Sequence, residues 1–361
     1  MPTGRIERHG TQVSWSASGS INLELAPKPY TITELWVVCR PSVTTTTATN
    51  LNDYWDRIIS TLSLTGAGKT YFDFRNLRIA YWFTQFAGFG VPRPTVVADS
   101  ATTLVNQFVY RFHFGTRPED GPFDLTAGIP PVTAGNLTLQ GTFGAATAMG
   151  TNVTTTDADL DVYLVGVQPD QGDAPSAYMP KAIPVWQMQT PTPTATSSAF
   201  ATQHNIPSGD YLHSILVMTT NGTGTPRDDS VLNSLNVYNQ LENREIVSFG
   251  GQSGSVLDYK AAELITQFAL AEPVNRYPSD NVSTAMTAVS ATNGVPVVTQ
   301  GVNSGLVWLP LHKFGKVRGR GHPLYGVDLT HVATGDLQLR YGVSDATGVT
   351  LDVFYRKYQP L

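Results

Sequence analysis

Few residues of this chain stand in a spacing that supports catalysis or ligand binding. Residues 65–70 read Thr-Gly-Ala-Gly-Lys-Thr and end like a phosphate-binding loop, in which backbone N–H groups and a lysine hold nucleotide phosphates. Such a loop needs a strand before it, a helix after it and a glycine six positions before the lysine, where this chain has Ser63. The surrounding pattern predicts a helix before the segment and a strand after it, so nucleotide binding is disfavoured.

The seven histidines show no metal-binding spacing. Neither H-x-H nor H-E-x-x-H occurs, and the nearest pattern, Phe112-His113-Phe114, supplies a single histidine. A two-domain cupin would need two closely spaced histidines, a glutamate and a later histidine. We predict no metal site and no cofactor, and we expect His113 and His213 at half-buried or surface positions in strands. A metal site assembled from distant residues is the alternative.

Asp73 and Asp258 are the strongest candidate acids, because each lies among aromatic residues in strands that we predict to be equivalent. One interpretation makes them the acids of twin active sites. The favoured interpretation pairs them with Arg75 and Lys260, since no second carboxylate recurs nearby to complete an acid–base couple. Ser253 does not form a nucleophile elbow, because serine stands where the second glycine is required. We therefore predict no catalytic residues and no enzyme activity.

Two further clusters indicate contact surfaces. The basic cluster consists of Lys313, Lys316, Arg318 and Arg320. It either meets nucleic acid or an acidic headgroup or, as we favour, pairs with carboxylates of a neighbouring subunit. The aromatic segment 77–89 is either a sugar-binding platform or, as we favour, core and subunit contact, because large exposed apolar patches usually mark interfaces.

The elements that carry these residues occur twice. Short motifs recur in the same order, with spacings that drift as loop insertions would make them drift: 84–87 with 266–269, 73–75 with 258–260, 124–126 with 328–330, and 160–162 with 351–353. A tandem duplication of about 180–200 residues explains them, and a feature present in both copies is then more often architecture than chemistry.

Each copy shows about eight short strands with turns between them, which is the pattern of a jelly roll. Helical spacing predicts one helix over 51–62, capped by Asn50, and a weaker counterpart over 230–241, capped by Ser230. The fold class is therefore all-β: two tandem eight-stranded jelly rolls with short inserted helices. The expected organisation is an N-terminal arm 1–12, a first jelly roll 13–168, a Pro-rich connection 169–199 and a second jelly roll 200–361.

Composition limits the class of protein. The 361 residues suit two domains, and the only cysteine, Cys39, lies in an apolar run and is expected to be buried. Charged residues make up 14% of the chain against roughly 25% in typical soluble domains, which favours a subunit whose flanks are covered by neighbours. The net charge of −5 disfavours specific nucleic-acid binding. No apolar run reaches a membrane-spanning length, and residues 1–8 lack the apolar core of a signal peptide, so we expect synthesis and folding in the cytosol.

The tandem copies, the helices at matching positions, the Pro-rich connection and the low charge resemble the double-jelly-roll major capsid proteins of tailless icosahedral viruses, a lineage that includes bacteriophages and adenovirus. The resemblance covers the whole chain and is architectural, without a diagnostic motif. It implies a homotrimer that serves as a pseudo-hexameric capsomer and tiles the icosahedral capsid of a virion. It also implies contacts with neighbouring capsomers, with other capsid or vertex proteins and with an internal viral membrane.

If the resemblance holds, the functional residues are interface residues rather than catalytic ones. We expect the two helices, the aromatic segment and the N-terminal arm at intersubunit contacts. The candidates are Tyr54, Trp55, Trp82, Phe86, Arg5, Arg8, Lys316, Arg318 and Arg320. The rival functions are a trimeric receptor-binding or carbohydrate-binding virion protein and a two-jelly-roll glycan-cleaving hydrolase.

Overall fold

The computed structural model describes most of the chain, with gaps. The described residues are 3–50, 54–87, 102–105, 107–131, 136–170, 172–173, 178–193, 200, 202–221, 231–250, 286–287, 305–314, 321–322, 324–343 and 348–361. They fall into two compact units, the first formed by 1–186, 276–298 and 359–361, and the second by 187–275 and 299–358.

The described secondary structure is almost entirely β. The first eleven strands are β1 Thr3–Arg8, β2 Ser20–Leu25, β3 Thr31–Asn50, β4 Ile59–Gly66, β5 Lys69–Phe74, β6 Thr102–Val105, β7 Phe108–His113, β8 Leu137–Phe143, β9 Gly150–Gln168, β10 Ala182–Pro184 and β11 Trp186–Gln189. The remaining strands are β12 Thr202–Asn205, β13 Tyr211–Asn221, β14 Leu232–Asn239, β15 Arg244–Gly250, β16 Met286–Thr287, β17 Leu306–Leu309, β18 Gly321–His322, β19 Gly326–Asp328, β20 Leu337–Val343 and β21 Val349–Pro360. The helices are α1 Leu77–Phe86 and α2 Leu311–Phe314, with 3₁₀ helices at Tyr54–Arg57 and Pro118–Phe123.

The first unit is built from two antiparallel sheets. One sheet has the order β1-β9-β3, with β6 and β7 pairing along the other edge of β3 and β16 pairing at its end. The second sheet has the order β2-β8-β4-β5. If β6 is left out, the eight strands β1–β5 and β7–β9 can be numbered one to eight along the chain. Strands one, eight, three and six then form one sheet, and strands two, seven, four and five form the other. This is the strand order of a jelly roll.

The second unit repeats this order strand for strand. One sheet has the order β11-β21-β13, with β17 and β19 on the other edge of β13 and β18 pairing with β19. The other sheet has the order β12-β20-β14-β15. The predicted fold class, two tandem eight-stranded jelly rolls, is therefore confirmed.

The duplication extends to the register of the third and last strands. β3 carries a bulge between Ile32 and Glu34, and β13 carries one between Leu212 and Ser214, each against the last strand of its own unit. With these bulges aligned, Asp161 and Asp352 occupy equivalent positions, opposite Val38 and Met218 respectively. The recurrence of 160–162 at 351–353 is thus a structural equivalence.

The core of the first unit lies between its sheets and is rich in aromatic rings. Phe72 of β5 stacks on Phe112 of β7 with ring centroids 4.9 Å apart. The aromatic segment forms α1, which packs against the same core: Phe83 lies 6.3 Å from Phe74 and 4.9 Å from Trp186 between ring centroids. No helix among the described residues is long and apolar enough to cross a membrane. Cys39 is fully buried in this unit, as predicted.

Both predicted helices are wrong. Of the first predicted helix, residues 54–62 are described, and they form the 3₁₀ helix Tyr54–Arg57 and the start of β4 at Ile59. The described part of the second, 231–241, contains β14. In β4 the apolar side chains of Ile59, Leu62 and Leu64 are buried, and a bulge between residues 59 and 61 accounts for a spacing that imitates a helix. β14 is buried along most of its length. The spacing of its apolar residues therefore does not distinguish a strand from a helix.

Two predicted connecting segments contain strands. The arm 1–12 includes β1, which pairs with β9 although its side chains are mostly exposed, because edge pairing depends on the backbone and not on apolar side chains. The connection 169–199 includes β10 and β11, where Ala182, Trp186 and Met188 are buried. The proline-rich composition of this segment led us to predict a connection, although β10 is buried throughout and β11 alternates buried with half-buried residues.

Candidate functional site

The segment that resembles a phosphate loop is a hairpin turn between β4 and β5. Ala67 and Gly68 have φ values of 50° and 73°, as the two central residues of a tight hairpin turn require. A strand precedes and another follows, so the backbone N–H groups do not gather at a helix N-terminus. Asp73 pairs with Arg75, Oδ2 to Nε 3.4 Å, which confirms the predicted ion pair. Asp258, Lys260 and Ser253 lie outside the described residues.

A buried cluster of charged side chains lies in the first unit, on the outward side of the sheet that contains β3. Glu34 of β3, His113 of β7 and Asp124 each have fully buried side chains. His113 Nδ1 lies 2.7 Å from Glu34 Oε1, and His113 Nε2 lies 2.9 Å from Asp124 Oδ2. Both ring nitrogens can donate to a carboxylate only when the imidazole carries both protons, so the geometry fits an imidazolium held between two anions.

The two carboxylates are saturated with further donors. Arg111 donates from Nη2 to Glu34 Oε1 at 2.5 Å and from Nε to Oε2 at 2.9 Å, and the Trp36 indole N–H donates to Oε2 at 2.6 Å. Asp124 accepts the backbone N–H of Arg117 at 2.6 Å and that of Thr126 at 3.0 Å, and it also accepts the Thr126 hydroxyl.

Electrostatics keep both acids ionised. Burial by itself raises the pKa of Glu34, but hydrogen bonds from His113 and Arg111 outweigh burial and lower the pKa to about 2. Burial opposes ionisation of Asp124 as well, and hydrogen bonds from His113, Thr126 and the Arg117 backbone lower its pKa below the ordinary value of 3.8.

This cluster is suited to structure and not to catalysis. Its two acids have no exposed side-chain surface, and each is bound to a different nitrogen of His113. Among the described residues, no three His, Cys, Asp or Glu side chains are grouped so that they could hold a metal ion. The contacts instead fix the segment around Asp124 onto β3 and β7. We expected His113 and His213 at half-buried or surface positions, and this was wrong for both, because His113 is fully buried and His213 is 5% exposed.

The sequence contains a signal for this cluster that we did not use. Glu34 and His113 both interrupt apolar runs that are otherwise suited to buried strands. Charged or titratable residues in such runs are rarely fully buried unless they are paired, so each predicts a buried partner.

A second buried acid, Asp161, is shared by two arginines in the same unit. Arg8 of β1 donates from Nη2 to Asp161 Oδ1 at 2.6 Å, and Arg40 of β3 donates to Oδ2. Burial raises the pKa of Asp161, but hydrogen bonds from Arg8 and Arg40 dominate and lower it. The contact ties β1, at the edge of the sheet, to β3 across β9.

The structure separates the predicted interface residues. Arg5 and Arg8 lie on β1 with side chains 44% and 53% exposed. Trp55, Trp82 and Phe86 are 2%, 1% and 1% exposed and belong to the interior of the first unit. The remaining four are outside the description: the Tyr54 side chain and residues Lys316, Arg318 and Arg320.

Comparison with solved structures finds the same fold along essentially the whole chain. The crystal structure of the major capsid protein of Sulfolobus turreted icosahedral virus matches 99% of this chain and 97% of its own, with a TM-score of 0.68 and 14% identity. The PBCV-1 virus capsid model matches 99% and 94%, with a TM-score of 0.59 and 11% identity. The major capsid protein P2 from bacteriophage PM2 matches 99% and 98%, with a TM-score of 0.53 and 9% identity. No family model and no curated protein sequence matches the chain.

Proposed function

We propose that this chain is a major capsid protein, a non-enzymatic subunit that forms homotrimers and tiles the icosahedral capsid of a virion. The observation that carries the proposal is the repeated eight-strand order in both units, combined with a match to viral capsid proteins over 99% of the chain. Three chains with two equivalent units each supply six similar barrels, so a threefold assembly fills a near-hexagonal place in a shell. The expected partners are further copies, other capsid or vertex proteins and an internal viral membrane, after synthesis in the host cytoplasm.

The buried acids favour this assignment over a glycan-cleaving hydrolase. A hydrolase needs two carboxylates that flank a substrate, whereas Glu34 and Asp124 are separated by His113 and shielded from solvent. Their contacts stabilise a wall of the barrel, as a structural subunit requires.

Native mass spectrometry and negative-stain electron microscopy of the purified protein test the proposal. Trimers, and sheets or closed shells with pseudo-sixfold units, are expected. A stable monomer at micromolar concentration would contradict it. Specific binding on a glycan array without assembly would favour the receptor-binding alternative.

A further inference from the structure

The free edge of β1 has the features of a self-complementary contact. β1 lies at the end of its sheet and, among the described residues, pairs only with β9. All of its side chains except that of Glu7 are exposed, and Ile6 is 58% exposed. An edge strand presents unpaired N–H and C=O groups, which form a template for a strand of another chain.

The register against β9 determines which backbone groups are free. The backbone N–H of His9 donates to the Val162 carbonyl at 2.8 Å, in line with the pairing of Arg8 opposite Tyr163. In an antiparallel pair the hydrogen-bonded positions alternate, so the N–H and C=O groups of Gly4, Ile6 and Arg8 point away from β9. A partner strand therefore pairs with these three residues.

The charges of β1 are complementary to their own reversed order. Arg5 and Glu7 stand on either side of Ile6. When two copies of β1 meet antiparallel with Ile6 opposite Ile6, each Arg5 lies opposite a Glu7. This register also places the outward backbone groups of both Ile6 residues face to face, as a hydrogen-bonded pair requires.

We propose that β1 of one copy pairs with β1 of a second copy around a two-fold axis at Ile6. The partner is another copy of this chain because the arrangement is isologous, with residue 5 contacting residue 7 and residue 7 contacting residue 5. The inference rests on the proposed function for the presence of neighbouring copies, and it names the surface through which two of them join.

The charged side chains of β1 already make contacts within the chain, and these contacts hold them in place. Arg5 Nε lies 3.4 Å from Glu7 Oε2, and Arg5 Nη1 donates to Gln168 Oε1. The Glu7 carboxylate also accepts hydrogen bonds from Lys28 Nζ at 2.5 Å and from the Tyr30 hydroxyl at 3.2 Å. These contacts hold both side chains on one face of the strand. On the other face, the ring of Phe123, 49% exposed, lies over Gly4 and extends the apolar contact surface beside Ile6.

Charge reversal in the full-length protein provides the main test. Either single variant, Arg5→Glu or Glu7→Arg, makes both charge pairs of the two-fold contact repulsive. Association through this edge is therefore expected to weaken about tenfold or more. An equimolar mixture of the two single variants restores both attractive pairs, and so does the double variant. Arg75→Glu, which reverses an exposed charge of the same unit away from β1, is the matched control and leaves association unchanged.

Cross-linking separates this inference from the proposed function. Ile6→Cys, treated with a short bis-maleimide, is expected to give covalent dimers much faster than Leu241→Cys, a similarly exposed site in the second unit; the native Cys39 is buried. Shells or trimers without preferential Ile6→Cys dimers, or single charge variants that associate like the wild type, would overturn the edge pairing alone. Preferential dimers without trimers or shells would support the edge pairing and overturn the capsid function.

Discussion

Leu35 of the first unit and Ile215 of the second occupy the same place, two residues after equivalent bulges, and both are fully buried between the sheets of their own unit. Val37 and Val217 repeat this agreement. On the opposite side of the same strands the two units diverge. Glu34 in the first unit corresponds to Ser214 in the second, and each is fully buried.

Further outward-facing positions differ either in their side chains or in the contacts that an identical side chain makes. Arg111, which binds Glu34, corresponds to Trp308, which is 3% exposed. Asp161 binds two arginines, whereas the equivalent Asp352 accepts the Thr190 hydroxyl at 2.8 Å. The inward pattern is thus what the duplication kept, because it closes the barrel. The outward-facing residues of the two units differ because their surroundings differ. An ionised side chain is stable there only where solvent or a hydrogen-bond partner satisfies its charge.

The largest expected difference between the units comes from breaking the charged cluster. His113→Leu leaves Glu34 and Asp124 buried without their shared cation and is expected to lower the free energy of unfolding by about 3–5 kcal/mol. Ser214→Ala, at the counterpart of Glu34, removes a hydroxyl and is expected to lower it by about 1 kcal/mol. Urea unfolding followed by fluorescence measures both, and equal losses would show that the cluster contributes no more than a neutral contact.

Truncation of the shared inward face is expected to affect both units alike. Leu35→Ala and Ile215→Ala each remove a fully buried aliphatic side chain and leave a cavity, with an expected loss of about 2–5 kcal/mol for each. Thermal unfolding of the two variants measures the effect. A loss confined to one variant would contradict the equivalence of these positions.

The aspartate at the equivalent positions 161 and 352 is expected to contribute more to stability in the first unit than in the second. Asp161→Asn weakens bonds to two arginines and is expected to lower the free energy of unfolding by about 1.5–3 kcal/mol, because hydrogen bonds to charged groups exceed neutral ones. Asp352→Asn alters a bond that the carboxylate accepts from the neutral Thr190 hydroxyl, so a smaller loss than for Asp161→Asn is expected. Chemical denaturation of both variants provides the comparison. A larger loss of stability for Asp352→Asn would show that burial of the carboxylate matters more than the charge of its hydrogen-bond partners.

Acid sensitivity is a difference between the units that is absent at neutral pH and appears only as the pH falls. The pKa of Glu34 is lowered from 4.5 to about 2, so its contribution to stability is complete above 4.5 and is lost as the pH falls toward 2. The lowered pKa of Asp124 acts in the same direction. Ser214 has no carboxyl to protonate. Stability measured as a function of pH is expected to flatten in this window for Glu34→Gln, and an unchanged profile would exclude Glu34 as its source.

The repeats made the fold predictable although two of its elements were predicted wrongly. The motifs at 160–162 and 351–353 fall on equivalent register positions, so the duplication followed from residues alone. The helix predicted over 51–62 failed because a bulge in β4 gives strand residues a helix-like spacing. The strand β1 was missed because its edge position leaves polar side chains exposed and gives no apolar alternation.

The candidate site was less predictable than the fold. Arg5 and Arg8, predicted as contact residues of the N-terminal arm, have exposed side chains, whereas Trp55, Trp82 and Phe86, predicted for the same role, lie in the interior. Apolar composition does not distinguish a core from an interface, because both bury the same side chains.

The amino-acid sequence by itself determined that the chain is a duplicated all-β protein, because motif order and strand periodicity are local properties that repeat with the gene. Tertiary structure alone decided that Glu34, His113 and Asp124 meet, and that β1 has an edge that no other described strand pairs with, where Ile6 lies between opposite charges. These contacts join positions far apart in the chain. Their energies depend on burial and register, which exist only once the sheets have formed.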